Sequence, residues 1–220
     1  MRRLIVNADD FGLATGVNMG IIQAHVSGIL TSTSLMVDRP AAAEAARLAR
    51  AHPTLSVGLH YVEDGPEIDE PGHLDRTFAL QLARFRELTG SDPTHVDSHH
   101  HVHMTRMSRF APLVAPLGVP LRGDGRVHYV GEFYAQPQRG VVELERVRTP
   151  FLLALLARAD LTAEFTELGC HPARLTGDLH SSYAAEREVE LATLTEPRLR
   201  GRIEGLGLTL ASYHDWRAST

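Results

Sequence analysis

Short apolar runs recur along the chain, separated by stretches of helical periodicity, and several of them stop at a residue that can carry charge. Leu4-Ile5-Val6 leads to Asp9-Asp10, Ser56-Val57-Gly58-Leu59 to His60, the segment around Val96 to His99, Val119-Pro120-Leu121 to Arg122, and the run from Phe165 to Cys170 to His171. Runs of this length bounded by turn signals read as strands buried on both faces. Helices are predicted over 16–28, 41–51, 78–88, 108–117, 151–159, 186–194 and 198–206, with further strands over 29–37 and 208–212. Segment 63–76 reads as irregular loop, and 123–140 carries no assignable pattern. Strands alternating with helices imply a mostly parallel sheet, so the expected class is α/β. Such folds place their chemistry at strand C-terminal ends. Asp9, Asp10, His60, His99, Arg122 and His171 are therefore expected to share one site. With 220 residues and no repeat or linker, a single domain over 1–220 is expected.

The densest chemistry lies in Thr94-His95-Val96-Asp97-Ser98-His99-His100-His101-Val102-His103. In an extended segment Asp97, His99, His101 and His103 share a face; in a helix His99 and His103 do. Imidazole with carboxylate is the usual ligand set of zinc and related divalent ions. The plainer alternative, a polar loop or tag, fits poorly with an internal run broken by Val102. Asp9 and Asp10 repel each other unless they are solvated or share a cation, so a solvated turn beginning at Asp10 is the competing reading there. A lone histidine such as His60 is more often structural; its place at a strand end, like that of Asp10, gives it weight.

Composition closes off other classes. A formal charge of -5 argues against nucleic acid or an anionic membrane as the main partner. Cys170 is the single cysteine, which excludes an intrachain disulfide and suggests a reducing compartment. The apolar N-terminal run ends at Asn7-Ala8-Asp9, too soon for a signal peptide, and no stretch is long enough to cross a membrane, so the cytoplasm is the expected location. No GxGxxG, GxxxxGK[ST] or GxSxG is present.

A carboxylate and two imidazoles leave open positions on a divalent ion. Such an ion polarises a carbonyl and lowers the pKa of its bound water. A second carboxylate could accept that water's proton, and a histidine across the site could protonate a leaving amine. Arg122 could hold a substrate oxygen or orient the base. The expected chemistry is metal-assisted hydrolysis of an amide or ester.

The blocks Ile5-Val6-Asn7-Ala8-Asp9-Asp10-Phe11-Gly12-Leu13, Gly28 through Val37, Val57-Gly58-Leu59-His60, Pro93 through His103 and Cys170-His171-Pro172 closely resemble those of the YdjC-like carbohydrate deacetylases, in the same order and across essentially the whole chain. The resemblance implies a (β/α)-barrel-like fold and metal-dependent removal of an acetyl group from an N-acetylated amino sugar. It implies one divalent ion, Mg2+ or Zn2+, held by Asp10, His60 and His99. Asp9 would be the general base, His171 the acid and Arg122 the family's arginine, with His103 the substitute ligand. A homodimer is compatible with the resemblance. Segment 61–77 is shorter than in family members, where it is expected to help wall the sugar site. The alternatives kept open are another hydrolase on the same scaffold, such as a phosphoesterase, and a non-catalytic metal- or sugar-binding protein.

Overall fold

The computed structural model describes residues 2–63, 65–138, 140–158 and 162–219. Its centre is β1 (Arg2–Phe11), buried without interruption from Leu4 to Phe11. Such a run is what a parallel strand covered by helices on both faces requires. From β1 the chain passes through α1 (Thr15–Ser27), β2 (Ser32–Leu35), α2 (Ala42–Ala51), β3 (Ser56–Tyr61), α3 (His73–Thr89), β4 (Val96–Ser98) and α4 (Met107–Val114). It continues through β5 (His128–Val130), α5 (Thr149–Leu156), β6 (Phe165–Cys170), α6 (Ala185–Leu194), α7 (Leu199–Gly205), β7 (Leu208–Ala211) and α8 (Tyr213–Ser219).

The strands run in the order β4-β3-β2-β1-β6-β5, and every pairing is parallel. β6 follows β1 from Arg3 to Ala8 along one edge. β7, paired from Arg2 to Ile5, and β2, paired from Asn7 to Phe11, share the other edge in succession. The result is the expected α/β architecture, a parallel half-barrel whose strand C-terminal ends gather on one side. Among the described residues no helix is long and apolar enough to cross a membrane.

Local departures from the sequence reading have physical causes. The strand expected at 119–122 shrinks to a bridge, Val96 with Leu121, flanked by Val96 N–H to Pro120 O and Arg122 N–H to Val96 O, both 2.9 Å; Pro120 has no N–H with which to extend a ladder. β5 arises inside the unassigned 123–140. α8 was not anticipated; its Tyr213 and Trp216 close a small second core with Ile5, Val127, Phe165 and Ala211. α3 starts at His73, five residues early, because Leu74 continues the buried face of Phe78, Gln81 and Phe85. α5 begins with Thr149 and carries Pro150 in its first turn, where the missing N–H costs nothing; Ala159, the end expected for it, lies outside the described residues. Gly28 follows α1 as expected, but not in a left-handed cap: its φ is -138°. A Cβ there would meet the Leu194 carbonyl oxygen at 2.2 Å, so close approach to α6 is what demands glycine.

Candidate active site

At the end of β1 the backbone bends sharply. Asp10 adopts φ 69°, a region few residues other than glycine enter, and the turn is pinned by Gly12 N–H donating to Asn18 Oδ1 at 2.8 Å. The bend sends the adjacent carboxylates to different partners. Both are buried, at 2% exposure, so the solvated turn is not what forms. Arg122 grips Asp9 with two N–H groups, at 2.8 and 2.7 Å, and Arg187 donates to Asp10 Oδ2 at 2.5 Å. Burial alone would raise both carboxyl pKa values. The facing guanidiniums, Arg122 for Asp9 and Arg187 for Asp10, outweigh it with help from nearby imidazoles and hold both well below the carboxylate range.

The other Asp10 oxygen, Oδ1, lies 3.4 Å from His60 Nε2 and 3.2 Å from His99 Nδ1. His60, the next-to-last residue of β3, lies directly opposite Asp97 of β4, and its Nδ1 lies 2.7 Å from Asp97 Oδ1. A carboxylate only accepts, so Nδ1 carries the proton and Nε2 turns a lone pair toward Asp10. Asp10 Oδ1 and His60 Nε2 are both buried and have no hydrogen-bond partner. Two acceptors at this separation repel unless a cation lies between them. A proton can serve: burial opposes the imidazolium, but Asp97 and Asp10 overcome it and push the His60 pKa up to about 10. A divalent ion would replace that proton. Asp10, His60 and His99 offer one ligand atom each, all within 4.8 Å of one another, and this oxygen and two nitrogens are a donor set that leaves positions open. Asp9, His60 and Asp97 cluster as tightly, yet Arg122 already occupies both of those carboxylates.

Arg122 is the hub behind this set. Fully buried, it bridges Asp9 and Asp97 at 2.7 Å each and Glu167 at 2.6 Å, with the Tyr129 ring 4.6 Å above its guanidinium. Tyr129 fits because Gly169 lacks a side chain; a Cβ there would lie 2.8 Å from the phenol oxygen. His171, just beyond β6, places Nε2 3.9 Å from Asp9 Oδ2. Burial lowers its pKa to about 4 against the pull of Asp9 and Asp10. Its backbone N–H donates to Glu190 Oε2 at 2.5 Å, and the Tyr183 hydroxyl donates to the other Glu190 oxygen. With no cation bonded to it, Glu190 is driven by burial up to about 7.

All six expected residues therefore converge, five of them around a cavity of about 840 Å³ with Arg122 packed behind. That volume falls in the range of small-molecule sites. His103 does not join them. It is buried, with Nδ1 2.5 Å from Ser98 Oγ and Nε2 3.1 Å from the Arg122 carbonyl, so both nitrogens are spent on structure. The helical spacing that made it a substitute ligand is absent, because His100 and His101 both turn left-handed at φ 53°. Among the described residues of segment 61–77 none lines the cavity; Tyr129, Glu132, Tyr134, Arg146 and the stretch from His180 to Tyr183 supply its outer walls. The sequence reading missed Glu167, Tyr129, Arg187 and Glu190, and gave Asp97 no role as the partner of His60. Glu167 had a signal, the one charge in the middle of a fully buried strand. Arg187 and Glu190 had none, since charged residues three apart on a helix read as a solvated face.

Fold and site together define a parallel α/β half-barrel with an anionic, imidazole-bearing pocket at its strand C-terminal ends. The family described as YdjC-like protein matches residues 3–64 and 66–205, and the chain belongs to that family. It is 37% identical to the chitooligosaccharide deacetylase of Serratia marcescens, over 96% of this chain and 98% of that protein. It is 35% identical to the carbohydrate deacetylase of Geobacillus stearothermophilus, over 98% of each. Among solved structures it is similar to a putative cellobiose-phosphate cleavage protein from Enterococcus faecalis V583, with 27% identity, TM-score 0.79 and 98% coverage of both chains. A family 4 acetyl xylan esterase from Clostridium thermocellum, in complex with a cobalt ion, shares the fold at TM-score 0.58 and 13% identity, over 99% of this chain and 91% of that one.

Proposed function

We propose that the protein is a divalent-metal-dependent hydrolase that removes the N-acetyl group from an acetylated amino sugar or a short oligosaccharide of such sugars. The observation that carries this reading is the facing pair Asp10 Oδ1 and His60 Nε2, buried 3.4 Å apart beside His99 and without a hydrogen-bond partner. The names of the Serratia and Geobacillus relatives give the reaction class.

Asp10, His60 and His99 would hold the ion. Two imidazole nitrogens suit Zn2+ or a similar transition ion better than Mg2+, which prefers oxygen ligands. When bound, the ion supplies Lewis-acid polarisation of the amide carbonyl and makes water acidic enough to attack near neutral pH. Asp97 fixes the His60 tautomer. Arg122 keeps Asp9 ionised and locks its orientation; Asp9 Oδ2 then accepts the proton of the attacking water. His171, neutral at rest, receives at Nε2 the proton that Asp9 Oδ2, 3.9 Å away, has taken from the water. With a pKa near 4 it is then a strong acid toward the leaving amine. Keeping Asp9 and His171 beside the ligand set has no purpose in a protein that only binds. A phosphoesterase would call for a cluster of free basic groups, whereas Arg122 is fully paired and Arg187 is already bonded to Asp10.

Acetate release from N-acetylglucosamine oligomers tests the reading. The expected result is release that a chelator abolishes and added Zn2+ restores. Hydrolysis of phosphate esters without acetate release from any N-acetylated sugar would overturn it.

A further inference from the structure

The site contains two buried arginines, and they differ in what remains of their hydrogen-bonding capacity. Arg122 spends its guanidinium on three carboxylates, Asp9, Asp97 and Glu167. Arg187, from the first turn of α6, has a side chain 5% exposed and one carboxylate partner. Its Nε donates to the Tyr183 carbonyl at 2.8 Å and its Nη2 to Asp10 Oδ2 at 2.5 Å. The Tyr183 ring packs 5.7 Å from the guanidinium carbon. Nη1 is buried and has no partner, while the residue lines the cavity. A buried cationic N–H left without an acceptor is costly and calls for an explanation.

We propose that Arg187 is a substrate-binding group: its Nη1 donates to the carbonyl oxygen of the substrate's N-acyl group while its Nη2 holds Asp10 in place. This rests on the deacetylase reading. The guanidinium fork is rigid and planar, so an acceptor about 3 Å beyond Nη1 lies within a few ångström of Asp10, the carboxylate that faces His60 and His99. The acyl group is the part of an N-acetylated sugar that the reaction must bring to that point; the ring hydroxyls lie further out. Glu190, the other anionic group nearby, is already engaged by the Tyr183 hydroxyl and the His171 amide. The two tasks open to a single arginine in the sequence are thus divided. Arg122 orients the base, and Arg187 meets the oxygen on which charge develops in the transition state.

The test compares wild type with Arg187→Lys, which keeps a cation near Asp10 but loses the fork. The expected result is a Zn2+ Kd within about threefold of wild type, a kcat for acetate release lower by about 10²–10³-fold, and acetate binding to the metal-free protein at least tenfold weaker. Should the variant fold poorly, ¹⁵N NMR of arginine side chains in metal-free wild type reads the same contact. Titrating in N-acetylglucosamine disaccharide should then shift the Arg187 signals saturably and leave those of Arg122 in place. Unchanged kcat and acetate affinity in Arg187→Lys, or Arg187 signals indifferent to saturating disaccharide, would overturn the proposal. A wild-type enzyme that releases no acetate at all would instead overturn the deacetylase reading.

Discussion

Replacing Asp97 by Asn exposes how the ligand set is prepared. Asp97 Oδ1 accepts from His60 Nδ1, while Oδ2 takes N–H from Arg122 and the Ser34 hydroxyl, all at 2.7 Å. An asparagine keeps its oxygen toward Arg122 and Ser34, since turning the amide NH₂ toward a guanidinium sets donor against donor. The NH₂ then faces His60 Nδ1, which must become an acceptor, and the imidazole proton moves to Nε2. The lone pair aimed past Asp10 is lost with no change in shape. Loss of such a partner typically costs 10–100-fold in metal affinity, or about 1.4–2.7 kcal/mol. The assay is a Zn2+ competition titration of Asp97→Asn against wild type, with the unfolding midpoint followed in the metal-free proteins. A Kd within threefold of wild type in a folded variant would refute the tautomer argument.

Further consequences follow from the same geometry. Glu190 rises from 4.5 to about 7 on folding. A raised folded pKa stabilises below the unfolded value, and that advantage disappears as pH climbs through the folded one, so wild-type stability falls between about pH 4.5 and 7 by roughly 3 kcal/mol from this group. Urea unfolding of Glu190→Gln should show a correspondingly flatter pH profile; parallel profiles would contradict the assignment. His103→Gln should leave the Zn2+ Kd within threefold while lowering stability by about 1–3 kcal/mol, as for a lost buried hydrogen bond; a tenfold weaker Kd would make His103 a ligand after all. In Gly169→Ala the new Cβ drives the Tyr129 phenol away from Arg122, at about 1–3 kcal/mol of thermal stability. Adding Tyr129→Phe removes the clashing oxygen and should restore part of that loss, whereas strictly additive losses would rule out the contact.

What could be read before folding divides along a physical line. β1 declared itself because a strand buried on both faces needs an unbroken apolar run, and the rule that chemistry collects at strand ends then selected Asp9, Asp10, His60, His99, Arg122 and His171. Interactions that depend on register were beyond reach. That Asp97 lies opposite His60 follows from the pairing of β3 with β4, and no local spacing encodes it. β5 is only three residues long, too short for any periodicity, yet it delivers Tyr129 to Arg122. Arg187 and Glu190 face inward, to Asp10 and to the His171 amide, while their spacing is that of ordinary surface charges. His103 misled for the opposite reason. Its four-residue interval from His99 would matter on a helix, and the left-handed turns at His100 and His101 cancel it.

The central claim is a division of labour between adjacent carboxylates, with Asp10 holding the ion and Asp9 taking the proton. It is tested most directly by measuring bound Zn2+ and acetate release together in Asp9→Asn. The account predicts one equivalent of metal at near wild-type affinity, with turnover reduced by about 10²–10⁴-fold, the usual contribution of a general base. Wild-type turnover in that variant, or loss of the metal along with the activity, would contradict it.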